Sequence, residues 1–466
     1  MTTPALHPPG SVVVVGLGRS GRGAARLLHA LGRQVTVLES RGGDALELEA
    51  AQLREEGIAV RLNTPLRAEV LTAPPRPGAV IVSPGIPWDH PILEEVRRQG
   101  VLVQGEISPA WHAMGAGAIP WVGITGTNGK TTVTHLVHHL LTSGGLDAPL
   151  CGNVGFSAAE LALQCLRSGR RPDWLVVELS SYQIEASPEV APRLGVWTTL
   201  TPDHLERHGT LDRYRAIKRS LLEASGTRIL NADDPDLRAQ ADTWGEALWI
   251  TARPREVLGG VLSPDLWLEN GWVQSADGPL LKADCLAMPG QHNRQNLVMA
   301  AAVGLRAGLS PAAMEAAFQR FPGVPHRLER LGERGGITWF NDSKATNYDA
   351  AEVALRALPG PLVVLAGGQA KVGDASGWLE QLRQQAAAVV LFGEAREAFA
   401  HLLAANNYGG VVAGSDDLEG AVTIAHELAH RLSCHSVVLS PACASFDQYS
   451  NFEARGEHFR ELVEAL

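Results

Sequence analysis

Short runs of apolar residues alternate with longer segments of helical periodicity along most of the chain. In the first hundred residues the apolar runs are Val12–Val15, Val35–Leu38, Ala79–Val82 and Val101–Val103, and segments such as 23–30 and 44–56 separate them. Continuous apolar runs of this length predict strands that are buried on both faces, and their alternation with helices predicts a parallel sheet. The first block therefore predicts an α/β domain.

Two further blocks repeat this alternation. The second has apolar runs at 121–124, 174–177, 196–200 and 227–230, and the third at 362–366, 389–392 and 437–439. The Ala- and Gly-rich stretch 113–118 and the Pro-rich turn 322–325 lie between the blocks and are typical of linkers. The sequence therefore predicts three α/β domains, at residues 1–110, 111–323 and 324–466.

Composition narrows the class of protein. Of the 466 residues 45% are apolar, which is enough to build packed cores, and the formal net charge of −10 argues against a nucleic-acid partner. No run of 18 apolar residues is present, so no insertion into a membrane is expected. The first ten residues lack the features of a signal peptide, and the five cysteines form no CxxC pair. A cytoplasmic protein with reduced thiols is expected.

The stretch Gly123–Thr132 carries the sharpest local signal. It follows an apolar run and precedes a helix whose apolar stripe is Val133, Leu136, Val137, Leu140 and Leu141. The strict G-x-x-x-x-G-K-[ST] spacing is not met, because Ile124 stands five residues before Gly129. Even so, the stretch predicts a binding site for a nucleoside triphosphate with Mg²⁺, because it combines glycines, a helix N-terminus, Lys130 and the Thr131 hydroxyl.

A glycine fingerprint follows the first apolar run. Gly16, Gly18 and Gly21 have the G-x-G-x-x-G spacing, and Glu39 ends the next predicted strand, where a ribose-binding acid is usual. The motif alone suggests NAD, but any nucleotide diphosphate would suit it. Ser83–Gly85, after another predicted strand, is a further candidate for the same site.

Acids, a histidine and a rare lysine follow the strands of the second block. Glu178 ends one apolar run, where Mg²⁺ near a phosphate loop is a natural partner, and Asp203-His204 follow another run. Only five of the 40 basic residues are lysines, one of which is Lys218 in a predicted helix. A chain with so few lysines is expected to keep them where a guanidinium cannot serve, as a point charge on a phosphate or as an amine that must lose its proton. The position of Lys218 by itself favours an ordinary solvated lysine on a helix.

In their order, these motifs resemble those of the ATP-dependent Mur ligases of peptidoglycan precursor synthesis. The likeness covers essentially the whole chain and also includes Gly290–Asn296, Pro325–Arg327 and Asn341–Asn347. The last of these, with Leu439–Phe452, resembles the members that add D-glutamate. The resemblance implies a Rossmann-like N-terminal domain that binds UDP rather than NAD, a central P-loop-type ATPase domain with a parallel sheet, and a Rossmann-like C-terminal domain for the amino acid.

The implied activity is an ATP-dependent ligase that joins D-glutamate to UDP-N-acetylmuramoyl-L-alanine through an acyl phosphate. ATP and two Mg²⁺ ions are the implied cofactors, and a monomer is expected. The implied catalytic residues are Lys130, Glu178, His204 and Lys218. One Mg²⁺ would be held by Thr131 and Glu178, and the other by His204 and a carbamylated Lys218.

The resemblance also implies three sets of binding residues. For the UDP-sugar they are Gly18, Arg19, Ser20, Glu39, Ser40, Arg41, Ser83, Gly85 and Asn153. For ATP they are Gly126, Thr127, Asn128, Gly129, Lys130, Thr131, Thr132, Asn293, Asn296, Arg327, Asp342 and Lys344. For D-glutamate they are Thr346, Lys371, Ser445 and Phe452.

Three alternative functions would use some of these residues. Another amino-acid-adding Mur ligase, or an enzyme like folylpolyglutamate synthase, would share the phosphate loop, Glu178 and His204 but not the C-terminal motifs. An NAD-dependent oxidoreductase would use Gly16–Glu39 and leave the phosphate loop unexplained. A P-loop GTPase is disfavoured because the Walker spacing fails and no base-reading motif is present.

Overall fold

The computed structural model describes residues 10–260, 262–288, 290–370 and 373–466, which build three sheets flanked by helices. The chain divides into two compact units, one of residues 10–287 and 291–321 and the other of residues 322–466. The first two sheets lie in the first unit and the third sheet in the second. Within the described residues, no helix has the length and apolar character needed to span a bilayer.

The first sheet is wholly parallel, with strand order β3-β2-β1-β4-β5. Its strands are β1 (Ser11–Val15), β2 (Gln34–Leu38), β3 (Ala59–Arg61), β4 (Ala79–Val82) and β5 (Leu102–Gly105). Its helices are α1 (Arg19–Ala30), α2 (Asp44–Glu55), α3 (Ala68–Thr72), α4 (Pro91–Arg98) and α5 (Ile107–Ala113). The strand order reverses beside β1, because β2 pairs on one side of it and β4 on the other. In open parallel sheets, such a reversal leaves a crevice at the carboxyl ends of the strands.

The second sheet has nine strands in the order β14-β13-β12-β11-β10-β9-β6-β8-β7, and only the pairs among β12, β13 and β14 are antiparallel. Its strands are β6 (Trp121–Thr125), β7 (Leu150–Gly152), β8 (Leu175–Glu178), β9 (Leu194–Trp197), β10 (Thr227–Asn231), β11 (Leu248–Ile250), β12 (Leu266–Glu269), β13 (Trp272–Ser275) and β14 (Gly278–Lys282). Its α-helices are α6 (Lys130–Ser143), α7 (Ala158–Ser168), α8 (Ser181–Ala186), α9 (Leu205–His208), α10 (Leu211–Ala224), α11 (Pro235–Ala239), α12 (Gln291–Arg306) and α13 (Pro311–Gln319). Because β8, β6 and β9 are neighbours, their carboxyl ends lie side by side.

Helix α6 shows why the sequence pattern sets this packing. Its apolar stripe of Val133, Leu136, Val137, Leu140 and Leu141 is fully buried. Each such side chain contributes about 1.5–3 kcal/mol when it leaves water. The stripe fixes the rotation of the helix about its axis, and the short loop between Thr125 and Lys130 keeps its N-terminus at the carboxyl end of β6.

The third sheet has the order β15-β16-β20-β17-β18-β19, and only β15 and β16 are antiparallel. Its strands are β15 (Glu329–Arg334), β16 (Ile337–Asn341), β17 (Leu362–Gly367), β18 (Ala386–Phe392), β19 (Val411–Gly414) and β20 (Ser436–Leu439). Its helices are α14 (Tyr348–Ala357), α15 (Ser376–Gln385), α16 (Arg396–Ala405), α17 (Leu418–Arg431) and α18 (Phe452–Glu464). Two apolar layers cover its two faces.

One predicted strand is shorter than its apolar run. The run 196–200 predicts a strand to Leu200, but β9 ends at Trp197. The Thr198 hydroxyl donates to the carbonyl oxygens of Thr125 and Asn128, and the Asn128 amide donates to the Thr199 hydroxyl at 3.0 Å. The chain therefore leaves the sheet because these threonines hold the phosphate loop.

Candidate active site

Loops at the carboxyl edge of the first sheet line a cavity of about 650 Å³. All nine residues predicted to bind the UDP-sugar contribute to its wall: Gly18, Arg19, Ser20, Glu39, Ser40, Arg41, Ser83, Gly85 and Asn153. Eight come from the loops after β1, β2 and β4 or from the first turn of α1, and Asn153 follows β7 of the second sheet. The cavity thus connects the crevice of the first sheet with the edge of the second.

The glycine fingerprint forms the floor of this cavity. Gly16 has φ +101°, which side-chain-bearing residues rarely adopt. A Cβ on Gly21 would lie 2.0 Å from the carbonyl oxygen of Gly16, so helix α1 approaches the loop as closely as it does only because residue 21 is glycine. Residues 16–21 form the close turn that a diphosphate-binding helix N-terminus needs.

Glu39, predicted as a ribose-binding acid, is buried and engaged by the protein itself. Its carboxylate accepts hydrogen bonds from the backbone amides of Leu17 (3.0 Å) and Arg41 (3.1 Å) and from the Arg41 guanidinium (3.2 Å). Burial raises the pKa of Glu39, but these hydrogen bonds outweigh it and hold the pKa below its ordinary value. The ionised carboxylate therefore ties the loop after β1 to the loop after β2.

Glu106 and Gln183 were missed by the sequence reasoning, since neither lies in a phosphate-binding motif. Gln183 lines the cavity and donates to the fully buried Glu106 carboxyl at 2.9 Å. Gln183 also completes a capping box with Ser180 at the start of α8. Burial raises the pKa of Glu106, against the hydrogen bonds from Gln183 and Ser20. The buried Glu106 carboxyl thus joins the first sheet to α8.

The predicted ATP residues Gly126, Thr127, Asn128, Gly129, Lys130, Thr131 and Thr132 form the loop from β6 into α6. Gly129 caps the helix with φ +84°, so the first amides of α6 face the loop. The Lys130 amine donates to the carbonyl oxygens of Gly126 (2.9 Å) and Thr127 (2.8 Å). This geometry can hold an anionic phosphate at a helix N-terminus.

Asn293 and Asn296 of α12 adjoin this loop. They are buried and hydrogen-bonded to each other at 3.1 Å, and a Cβ on Gly129 would lie 3.0 Å from the Asn296 side-chain oxygen. The structure therefore places both of these predicted ATP residues beside the phosphate loop, although they lie more than 150 positions later in the chain.

Lys218 of α10 lies in the core of the first unit beside the same loop. Its side chain is 1% exposed, and its amine donates to the Gly126 carbonyl (2.9 Å) and the Thr125 hydroxyl (3.3 Å). Burial lowers the pKa of this amine well below its ordinary value, and the charge of Lys130 lowers it further, against Asp203 and Glu178. The environment of Lys218 therefore favours the neutral form of this amine.

Glu178, at the end of β8, has one carboxylate oxygen that accepts from the Asn153 amide at 2.9 Å. Its other oxygen is buried and has no hydrogen-bond partner among the described residues. A buried carboxylate oxygen left in this way is suited to a hard cation, for which oxygen ligands are preferred. The Asn153 contact also links this acid to the wall of the cavity.

His204 follows β9 in a left-handed conformation with φ +53°. Its backbone amide donates to the Asp203 carboxylate at 2.9 Å, and its half-exposed ring lies 5.2 Å from the ring of Tyr182. A non-glycine residue held in this conformation is uncommon and often marks a functional site. The geometry leaves the imidazole accessible to a ligand.

The remaining predicted ATP residues lie in the second unit, where Arg327 precedes β15 and Asp342 and Lys344 follow β16. The Asp342 carboxyl accepts from the Leu328 amide (3.1 Å) and the Ser440 hydroxyl (3.0 Å), and it is buried. The Lys344 amine lies 5.6 Å above the Phe452 ring, whereas Arg327 is exposed. Burial raises the pKa of Asp342 to about 7, against the Leu328 and Ser440 hydrogen bonds.

Of the predicted D-glutamate residues, three are described. Thr346 follows Lys344, Ser445 has a buried hydroxyl without a partner among the described residues, and the Phe452 carbonyl accepts from the Ser343 hydroxyl at 2.8 Å. Lys371 lies outside the described residues. Arg455, which the sequence reasoning missed, is fully buried and donates to the carbonyl oxygens of Ser343, Cys443 and Ala444. It fastens together the loops that carry Lys344 and Ser445.

Comparison with known protein families accounts for nearly all of the chain. Residues 10–105 match the Mur ligase MurD-like N-terminal domain, 124–304 the Mur ligase middle domain, and 326–443 the Mur ligase glutamate ligase domain. The chain belongs to the Mur ligase family. Its membership confirms the predicted family, the three-domain α/β fold class and the prediction of an ATP-dependent ligase.

Individual relatives extend this likeness. The chain is 55% identical over 457 residues to a UDP-N-acetylmuramoylalanine–D-glutamate ligase of Synechococcus sp. (strain CC9605), covering 97% of this chain and 98% of the relative. It is 54% identical over 458 residues to the ligase of the same name from Parasynechococcus marenigrum (strain WH8102), covering 97% of both. The fold is similar to that of UDP-N-acetylmuramate–alanine ligase MurC from Thermotoga maritima, with a TM-score of 0.59, 19% identity and coverage of 98% and 99%.

The raised pKa of Glu106 predicts different effects for two substitutions. Glu106→Gln keeps an acceptor for Gln183 and carries no charge, so its free energy of unfolding should stay within about 1 kcal/mol of wild type. Glu106→Ala leaves the Gln183 amide unsatisfied and should cost about 1–3 kcal/mol. Chemical denaturation measures both, and equal destabilisation by the two variants would contradict a raised pKa for Glu106.

The raised pKa of Asp342 predicts a dependence of stability on pH. Because the folded pKa is about 7 and the ordinary value is 3.8, this group's stabilisation is complete below pH 3.8 and is lost as the pH rises through 7. A shift of this size corresponds to up to about 4 kcal/mol. Asp342→Asn should therefore unfold at a higher temperature than wild type, by a margin that is small at pH 5, grows as the pH rises to 7 and levels off above it.

Differential scanning calorimetry at pH 5 to 8 measures this difference. Asp349→Asn, a change of an exposed aspartate on α14, is the matched control and should follow wild type at every pH. If Asp342→Asn also follows wild type at every pH, the buried carboxyl does not have the raised pKa.

Proposed function

We propose that this chain catalyses the ATP-dependent addition of D-glutamate to UDP-N-acetylmuramoyl-L-alanine. The curated relatives that carry this name match it over nearly its full length. One structural observation carries the proposal. Asn153 lines the cavity at the first sheet, and its side-chain amide donates a hydrogen bond to Glu178, which lies beside the phosphate loop. A UDP-sugar in the cavity would therefore extend its acyl end toward the bound ATP.

The chemistry proceeds in two steps. A carboxylate oxygen of the acceptor attacks the γ-phosphorus of ATP, and ADP leaves. The amine of D-glutamate then attacks the acyl phosphate, and the tetrahedral intermediate collapses with loss of phosphate. Because the first step joins two anions, neutralising charge is the main task. Lys130 and the N-terminus of α6 serve this task when the amine moves from its loop carbonyls onto the phosphates.

Two Mg²⁺ ions would supply further positive charge at the transferred phosphoryl group. Thr131 and Glu178 would hold one, in keeping with the buried, unpartnered carboxylate oxygen of Glu178. His204 and a carbamylated Lys218 would hold the other. Carbamylation needs a neutral amine, a form that the lowered pKa of Lys218 favours, and it converts that amine into an oxygen-bearing anion. Arginine cannot undergo this change at neutral pH.

The second unit would complete the binding of ATP and the amino acid. Arg327 and Lys344 would contact phosphates and Asp342 the ribose, whereas Asn293 and Asn296 of the first unit would contact the adenine. Thr346, Lys371, Ser445 and the backbone at Phe452 would bind D-glutamate, and the buried unpartnered hydroxyl of Ser445 supports its part. We further propose a cytoplasmic monomer with domains at 1–110 for the UDP-sugar, 111–323 for ATP and 324–466 for the amino acid.

Phosphate release provides the direct test of this function. With ATP, Mg²⁺ and UDP-N-acetylmuramoyl-L-alanine present, turnover is expected with D-glutamate and not with L-glutamate, L-lysine or meso-diaminopimelate. Turnover with one of the other amino acids would keep the ligase chemistry and overturn the assigned amino acid. Folded, ATP-binding protein without turnover would overturn the assigned acceptor.

The carbamate on Lys218 predicts a chemical rescue. Lys218→Ala should lower kcat by about 10²–10³-fold, because it removes the anion that would hold a cation near the reacting phosphoryl group. Short-chain carboxylic acids should restore part of the activity. Lys218→Arg should be equally inactive and not rescued, and Lys282→Arg, at an exposed lysine, is the matched control. Full activity of Lys218→Arg would overturn the carbamate.

A further inference from the structure

Two histidines on α17 of the second unit lie outside every site described above. His426 and His430 are four residues apart, and side chains at this spacing share one face of a helix. Their Nε2 atoms are 3.0 Å apart, with ring centroids 4.8 Å apart and ring planes inclined at 60°. His430 is exposed and His426 partly buried, so solvent reaches the pair.

The distance between the two nitrogens has a specific chemical meaning. An imidazole nitrogen binds a first-row divalent ion at about 2.0–2.1 Å, so two of them at a right angle would stand about 2.9 Å apart and at a tetrahedral angle about 3.4 Å apart. The observed 3.0 Å therefore fits neighbouring positions of a square-planar or octahedral ion. Cu²⁺ and Ni²⁺ favour such geometry with nitrogen ligands.

The surroundings of the pair also suit a cation. Both histidines lie in the last two turns of α17, where the helix dipole favours positive charge. Gly335, in the turn between β15 and β16, faces the pair with no side chain, and a Cβ there would lie 3.4 Å from each Nε2 atom. The bare glycine leaves the space over the two nitrogens open.

We propose that His426 and His430 form a bidentate site for a divalent transition-metal ion of the Cu²⁺ or Ni²⁺ class. Without metal, the Nε2–H group of one ring donates a hydrogen bond to Nε2 of the other. When the ion binds between them, that proton moves to Nδ1 of the same ring, so both rings stay neutral and both Nε2 lone pairs bind the ion. Within the described parts of the chain, no group of three or more His, Cys, Asp or Glu side chains is arranged around a metal position. Water therefore completes the coordination, and the ion stays exchangeable.

Calorimetric titration of the full-length protein with NiCl₂, in chelator-free buffer with excess MgCl₂, tests the site. Wild type is expected to bind one Ni²⁺ that is lost in both His426→Ala and His430→Ala. His401→Ala, at an exposed histidine on α16, is the matched control and should bind as wild type does. With CuCl₂, the electron paramagnetic resonance spectrum should show two nitrogen ligands in wild type and one in His430→Ala.

A second variant separates ligand loss from misfolding. His430→Gln keeps a polar side chain of similar reach, and its thermal midpoint without metal should equal that of wild type while Ni²⁺ binding is lost. Turnover with Mg²⁺ and ATP should be the same in all of these variants, because neither histidine belongs to the proposed active site. Equal Ni²⁺ binding by wild type and His426→Ala, or no binding by wild type, would overturn the proposal.

Discussion

One carbonyl oxygen, that of Gly126, accepts hydrogen bonds from two lysine amines, and the geometry of the loop from β6 into α6 depends on this arrangement. Lys130 reaches it from the helix that follows, and Lys218 reaches it from the core, each at 2.9 Å. Two charged amines on one acceptor would repel each other in a dry environment. Burial of Lys218 and the charge of Lys130 both lower the pKa of the Lys218 amine, which favours its neutral form and weakens this repulsion.

The backbone of Gly126 makes this possible. With φ +146° it lies in a region that other residues rarely enter, and a Cβ there would be 2.0 Å from the Thr198 hydroxyl oxygen. The same threonine holds the loop through two carbonyl oxygens, which ends β9 at Trp197. Gly126, Thr198 and the two lysines therefore depend on one another. The loop must pass close to the end of β9 so that the Gly126 carbonyl can accept hydrogen bonds from both amines.

Acidic groups around the site are used in different ways according to their partners. Glu39 is buried but surrounded by donors, so it is ionised and holds two loops together. Glu106 and Asp342 are buried with few donors, so burial dominates and raises their pKa. Glu178 keeps one buried oxygen without a protein partner, which leaves it for a ligand. Carboxyls that look alike in the sequence therefore differ in their hydrogen-bond partners and in the direction of their pKa shifts.

The sequence by itself determined the elements and the local motifs, because these depend on periodicity and on residues close together in the chain. The buried stripe of α6, the turn at Gly16–Gly21 and the loop at Gly126–Thr132 could all be predicted in this way. Only the tertiary structure decided which distant residues meet, since strand order controls those contacts. The contact of Lys218 with residues 125–126, more than 90 positions away, the link from Gln183 to Glu106, and the buried Arg455 all arise from packing. Burial shifts a pKa only once the chain has folded around the group, so the lowered pKa of Lys218 also depends on the tertiary structure.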